Sequence, residues 1–161
     1  WHKENFIKLI KMILDSKKDL DILLTGTPKE SDHINSIYNS INSDRVYVYT
    51  DLNMDTLLNY IKNARLVITN DTGPFHFARA YDVKRIVLFG ISPRNYLIRG
   101  KEKNSIEFCG TNKCPDNCYI KSITNNSCID IYKMFGDSYN CINTISPVDV
   151  FESTMLMLED K

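Results

Sequence analysis

Apolar residues along this chain alternate between two spacings, a period near 3.6 and short unbroken runs, and the switches mark out its elements. Phe6, Ile7, Leu9, Ile10, Ile13 and Leu14 recur at helical spacing with lysines on the other face, which predicts a helix over 1–16. Asp21-Ile22-Leu23-Leu24-Thr25 reads as a short strand ending at Gly26-Thr27-Pro28. A second helix is expected over 30–41, with Ile34, Ile37, Tyr38 and Ile41 facing inward. Arg45–Tyr49 (RVYVY) has the β-branched and aromatic content of a strand. Residues 53–63 are helical in pattern and bury Leu57, Leu58 and Ile61. Leu66-Val67-Ile68 is a run of buried-strand length. It breaks at Asn70-Asp71-Thr72-Gly73-Pro74, and a short helix follows with Phe75, Ala78 and Tyr81 on one face. A further apolar run, Ile86-Val87-Leu88-Phe89, completes a strand–helix–strand unit. Strands alternating with helices predict an α/β fold with a doubly wound parallel sheet.

After Gly90 the alternation fails. Residues 92–145 read as an irregular segment, relieved by a short strand over Ile106–Cys109 and otherwise polar and Asn-rich from Gly110 to Asn140. Ser146-Pro147-Val148-Asp149 restores order with a cap, a first-turn proline and an acid three residues after the cap. The helix it opens runs through Val150, Phe151, Met155 and Leu156 to Leu158. No internal repeat is present.

Composition narrows the function classes. A length of 161 residues suits one domain, 1–161, with a real core. Hydrophobic content of 43% beside 25% charged residues is that of a globular protein, and the zero net charge gives no argument for nucleic acid as a partner. No apolar run approaches a membrane span, so any membrane association is expected to be peripheral.

The chemistry concentrates at the break after the 66–68 strand. Open α/β sheets bind ligands at the carboxyl ends of their strands, and this turn lies at such an end. Pro74 suits a first helical turn because its missing N–H would be unpaired there anyway. Thr72 or Gly73 can then cap, leaving backbone N–H groups aimed above the strand. A helix N-terminus approached through glycine favours an anion, phosphate above all. His76 falls in the same first turn, where one ring N–H can donate to phosphate; a packed or solvated histidine is the alternative. Asp71 would be repelled by phosphate, so its roles are a sugar hydroxyl or fixing the turn. Gly26-Thr27-Pro28-Lys29-Glu30 follows another strand and reaches the same edge, with Glu30 in a first helical turn, where the dipole favours an acid.

The pattern D-T-G-P-x-H, then A-x-A, then L-F-G at a strand end resembles the donor-binding core of family 9 glycosyltransferases, the group that includes the ADP-heptose:lipopolysaccharide heptosyltransferases. Asp71, Thr72, Gly73, Pro74, His76, Ala78, Ala80 and Leu88-Phe89-Gly90 carry the match. The resemblance implies a Rossmann-like half of a GT-B fold that binds a nucleotide-sugar donor, through Asp71, Thr72, Gly73 and His76 with Gly26 and Glu30. It implies an inverting, metal-independent transfer with no cofactor, heptose from an ADP donor to a lipopolysaccharide-type or other glycan acceptor. The general base of such enzymes lies in an amino-terminal domain, so no catalytic residue is expected on this chain, and the chain alone should be inactive. Trp1-His2-Lys3-Glu4-Asn5-Phe6 looks like the Trp and helix start that follow the first strand of the family's carboxy-terminal domain, so the expectation is that the strand and acceptor domain lie outside this chain. The work is placed in the cytoplasm, with peripheral contact to the inner face of the inner membrane. Two rival classes remain: a non-catalytic nucleotide-binding or assembly domain that kept the fold, and half of a sugar-nucleotide epimerase. The chain departs from the family in having Asp82 and Lys84 where Gly and Pro are usual between the motif helix and the next strand, and in a longer 110–140 segment.

Five cysteines, at 109, 114, 118, 128 and 141, all lie in the last third. Free thiols, one or two disulfides, and four-coordinate zinc at Cys109, Cys114, Cys118 and Cys128 stay open, although the spacings lack the tight pairs of ribbon-type zinc sites. In the resembling family a cysteine cluster precedes the final helix, and Cys109, Cys114, Cys118 and Cys141 have that arrangement.

Overall fold

A computed structural model describes residues 1–90, 102–110 and 141–159. Its elements are α1 (Lys3–Ser16), β1 (Ile22–Thr25), α2 (Ser31–Ile41), β2 (Val46–Tyr49), α3 (Met54–Asn63), β3 (Val67–Asn70), α4 (Gly73–Ala80), β4 (Arg85–Phe89), β5 (Ser105–Cys109) and α5 (Pro147–Glu159). All strand pairs are parallel, β1 with β2 and, separately, β3–β4–β5. The expected α/β architecture is present, as a sheet in two pieces.

Alternation along β4 distributes the helices over both faces. Ile86 and Leu88 pack with Leu9 and Ile13 of α1 and Val150 of α5, whereas Val87 and Phe89 face Phe75 of α4. Every residue of β4 is buried, as a strand covered on both faces requires. Helix α3 joins the α4 side through Ile61, which clusters with Ala78 and Val83. On the other side, α1 packs Ile7, Ile10 and Leu14 against Ile37 and Val46, so it spans both pieces of sheet.

Local chemistry explains most boundaries. Asn53 caps α3 by accepting from the N–H of Thr56 at 2.9 Å, and Ser146 Oγ accepts from Val148 and Asp149 at the start of α5. Asn42 ends α2 with φ 52°, a left-handed position that Asn tolerates. Asp82, where the resembling family has glycine, also sits at φ 52°. The family's glycine thus suits a backbone demand that Asp82 meets at some cost. Arg45 donates to the carbonyls of Leu14 and Lys17 at 2.7 Å, tying the end of α1 to the start of β2.

Three expectations are corrected. Tyr38, assigned to the inner face of α2, is 36% exposed, because α2 lies beside the outermost described strand and no described element covers its far flank. The chain makes a 3-10 turn over Pro28–Glu30 before α2, so the helix proper starts at Ser31. Strand β3 continues through Thr69 and Asn70, which pair with Val87 and Leu88; ladder hydrogen bonds do not require apolar side chains.

Candidate donor site at two strand ends

Two strand-to-helix turns, after β1 and after β3, carry the residues singled out from the sequence. In the first, the Gly26 N–H donates to the Tyr49 carbonyl at 3.4 Å, continuing the β1–β2 ladder. Thr27 donates to Glu30 Oε2 twice, from its N–H at 2.8 Å and its hydroxyl at 2.7 Å, and the Glu30 N–H returns to the Thr27 carbonyl at 2.9 Å. These bonds, the Thr27 N–H first and its hydroxyl next, hold the Glu30 carboxyl below the usual carboxylate range. Ser31 Oγ donates to Thr50 Oγ1 at 2.8 Å, joining this turn to the end of β2. A Cβ on Gly26 would run into the Ile34 side chain and stand 3.2 Å from Glu30 Oε2. Packing alone therefore accounts for this glycine.

The second turn is built differently. Phe75, fully buried, seats the first turn of α4 over the end of β4, meeting Phe89 edge-on at a centroid distance of 5.8 Å. Thr72 is the N-cap residue by its backbone, yet its side chain makes no capping bond. Its hydroxyl lies 3.3 Å from the Asn70 carbonyl and 3.2 Å from Thr69 Oγ1, and Thr69 Oγ1 donates to that same carbonyl at 2.9 Å. Phe75 donates its N–H to the Thr72 carbonyl at 3.0 Å, and Pro74 has none to give. The N–H groups of Thr72 and Gly73 reach no acceptor among the described residues.

Gly73 has no packing reason to be glycine. A Cβ there would meet only Phe77 Cε2, at 3.6 Å, an ordinary contact, and its φ lies outside the left-handed range. Glycine is no better a helix former than alanine, so neither packing nor helix propensity explains it at this exposed first position. His76 is exposed beside it, its ring tilted on Phe75 at 4.8 Å, and Asp71 is half-buried with no side-chain hydrogen bond among the described residues.

Asn70 opens the break expected from the sequence, whereas Thr69, which that pattern did not single out, also takes part in this turn. Asn70 Oδ1 is buried without a partner among the described residues, and Thr69 braces the loop through the Asn70 carbonyl. The polar break in an otherwise apolar strand was the available signal. Of the proposed zinc set, Cys109 is exposed at the end of β5, while Cys114, Cys118 and Cys128 lie outside the described residues. Cys141 is half-buried near the ends of β4 and β5.

A parallel sheet covered by helices on both faces, with an open helix N-terminus at a strand's carboxyl end, defines a Rossmann-like α/β domain. The family model of glycosyltransferase family 9 (heptosyltransferase) matches residues 1–126. The chain belongs to that family. It is 27% identical over 162 residues to lipopolysaccharide heptosyltransferase 1 of Campylobacter coli, covering 99% of this chain and 43% of that protein. Over 84 residues it is 33% identical to lipooligosaccharide heptosyltransferase 2 of Campylobacter jejuni, 50% of this chain and 26% of the relative. A solved family 9 glycosyltransferase from Veillonella parvula shares the fold, with a TM-score of 0.73 and 17% identity across the whole of this chain and 42% of its own. The chain thus spans less than half the length of these relatives. Among the described residues, no helix is long and apolar enough to cross a membrane.

Proposed function

We propose that residues 1–161 form the donor-binding domain of an inverting, metal-independent glycosyltransferase that moves a sugar from a nucleoside diphosphate, heptose from ADP-heptose, onto a lipopolysaccharide-type acceptor. The observation that carries this reading is the pair of unanswered amides at Thr72 and Gly73, beside a glycine that packing does not require. The names of the heptosyltransferase relatives support the choice of sugar and acceptor.

In this reading the diphosphate lies across the start of α4, taking hydrogen bonds from the amides of Thr72 and Gly73, and the His76 ring donates one N–H to a phosphate oxygen. Asp71 accepts from a sugar hydroxyl. Glu30 keeps Oε2 on Thr27 and turns Oε1 to the ribose hydroxyls, with Gly26 holding that loop close. The acceptor oxygen attacks the anomeric carbon from the face opposite the departing diphosphate. The bond from that carbon to the phosphate oxygen breaks, and the acceptor proton passes to a base outside residues 1–161. Negative charge grows on the leaving phosphate, where preorganised donors contribute about 3 kcal/mol each to the transition state. Contact with the membrane that carries the acceptor is peripheral, at its cytoplasmic face. Residues 1–161 alone bind nucleotide weakly and transfer nothing.

The test is calorimetric titration of the full-length protein with ADP, UDP and GDP, repeated on Gly73→Asp. ADP should bind, and the variant should lose at least about tenfold in affinity (~1.4 kcal/mol) with its melting temperature unchanged. An ADP affinity indifferent to Gly73→Asp removes the site. Failure of every nucleotide to bind favours a domain that kept the fold and lost the donor.

A further inference from the structure

The edge of β2 that faces away from β1 pairs with no strand among the described residues. Ile22 and Gly26 donate to the carbonyls of Arg45 and Tyr49, so alternation turns the N–H and carbonyl of Val48 outward. The strand reads Val-Tyr-Val-Tyr, with none of the charges or prolines by which proteins blunt a permanently open edge. Beside it runs a groove of 330 Å³, lined by Asn35 and Tyr38 of α2 and by Val46–Tyr49. Tyr38, which has the spacing of an inward residue, stands exposed there.

The surface around the groove has the composition of a contact face. Charged residues make up 25% of the chain, yet between His33 and Thr50 they are limited to Asp44 and Arg45. Arg45 is turned away from the edge, to the carbonyls of Leu14, Lys17 and Leu20. Val46 packs among the residues of α1 and α2, so Tyr47 and Tyr49 point to the other face of the sheet, where both are exposed. Tyr49 stacks there on Tyr60 of α3 at a centroid distance of 5.9 Å. Tyrosine enrichment and charge depletion mark the centres of protein–protein interfaces.

We infer that this edge pairs with the same edge of a second copy of the chain, antiparallel about a two-fold axis through Val48. The strand is its own complement. From Val46 to Thr50 it reads V-Y-V-Y-T, so the axis sets Tyr47 opposite Tyr49 and Val46 opposite Thr50. Aromatic meets aromatic and β-branched meets β-branched, as an isologous contact requires. Val48 exchanges two hydrogen bonds with its counterpart. The axis is perpendicular to the sheet, so both α2 helices come to the same side, and Asn35 and Tyr38 of each copy close the groove between them. On the opposite side the Tyr49–Tyr60 stacks extend the row of paired tyrosines. A different protein would have no reason to meet a strand that reads alike in both directions. The inference rests on the edge of β2 and does not depend on the nucleotide reading.

Sedimentation equilibrium of the full-length protein, from about 1 to about 100 μM, tests it. The wild type should dimerise within this range. Tyr47→Lys sets a charge against Tyr49 of the other copy and should weaken self-association at least about 100-fold. Val48→Pro should do the same, since it removes the outward N–H and leaves the ladder to β1 intact. Tyr47 is exposed, so its substitution keeps the test decisive where Val48→Pro disturbs folding. A wild type that stays monomeric at about 100 μM overturns the inference and leaves the edge to solvent or to a different protein. A dimer that both variants leave intact overturns it equally, because the copies then meet through another surface.

Discussion

The turns after β1 and β3 look alike as sequence, each a strand, a glycine, a proline next to it or one residue on, and a helix. Physically they are opposites. At Gly26 the N–H groups of Gly26, Thr27 and Glu30 are answered from within, by Tyr49, Glu30 and Thr27, and Ile34 fills the space a side chain would need. At Gly73 the space is open, the amides of Thr72 and Gly73 meet no acceptor among the described residues, and the capping residue has turned its hydroxyl back toward the strand. The first turn is complete without a ligand. The second leaves two exposed amides without an acceptor among the described residues. Glycine by itself is therefore a poor marker of a phosphate site; what marks one is a glycine whose absence of side chain the protein does not use.

The sharpest way to break this contrast is to remove the anchor of the second turn. Phe75→Ala should cost about 3–5 kcal/mol, read by chemical denaturation, because a fully buried ring is lost between Val87 and Phe89. A cost near zero would mean that α4 is not held by this contact. Gly26→Val should cost about 1–3 kcal/mol by overpacking against Ile34, whereas Gly73→Ala should leave the melting temperature unchanged or slightly raised. Equal costs at the two glycines would erase the distinction drawn between them. The smallest effect is expected from Glu30→Gln, which removes a capping carboxylate worth about 0.5–1 kcal/mol, less for its exposure to solvent. Because the Glu30 carboxyl is held below its ordinary value, its stabilisation is complete above the unfolded pKa near ~4.3 and disappears as pH falls through the lowered folded value. The melting-temperature gap between wild type and Glu30→Gln should accordingly close on acidification; a gap constant from pH 7 to pH 3 would show that the carboxylate charge is not involved.

Much of this was legible in the chain itself. Helical spacing in 1–16 and 53–63 and the apolar run 86–89 located α1, α3 and β4 because burial imposes those periods directly. Family membership was carried by residues whose spacing a turn and a helix fix, Asp71 through His76. What periodicity could not reveal depends on neighbours far along the chain. Tyr38 has the spacing of an inward residue and sits where none of the described elements covers it. The reach of Ile34 into the Gly26 turn and the turning back of the Thr72 hydroxyl are facts of three-dimensional placement. Thr69 and Asn70 hid because their polarity suggested a loop while their backbones continued the ladder.

One feature at the opposite end of the sheet bears on how such a domain can drift in sequence. Arg85, 2% exposed at the start of β4, pairs with Glu102, and the same carboxylate accepts from Arg79 at 2.7 Å. Losing one member of a buried ion pair costs about 3–5 kcal/mol, while replacing both with apolar side chains is close to neutral. Selection therefore sees positions 85 and 102 as one inherited unit, free to be exchanged together and closed to single steps. Across homologous chains the two should change in concert or not at all.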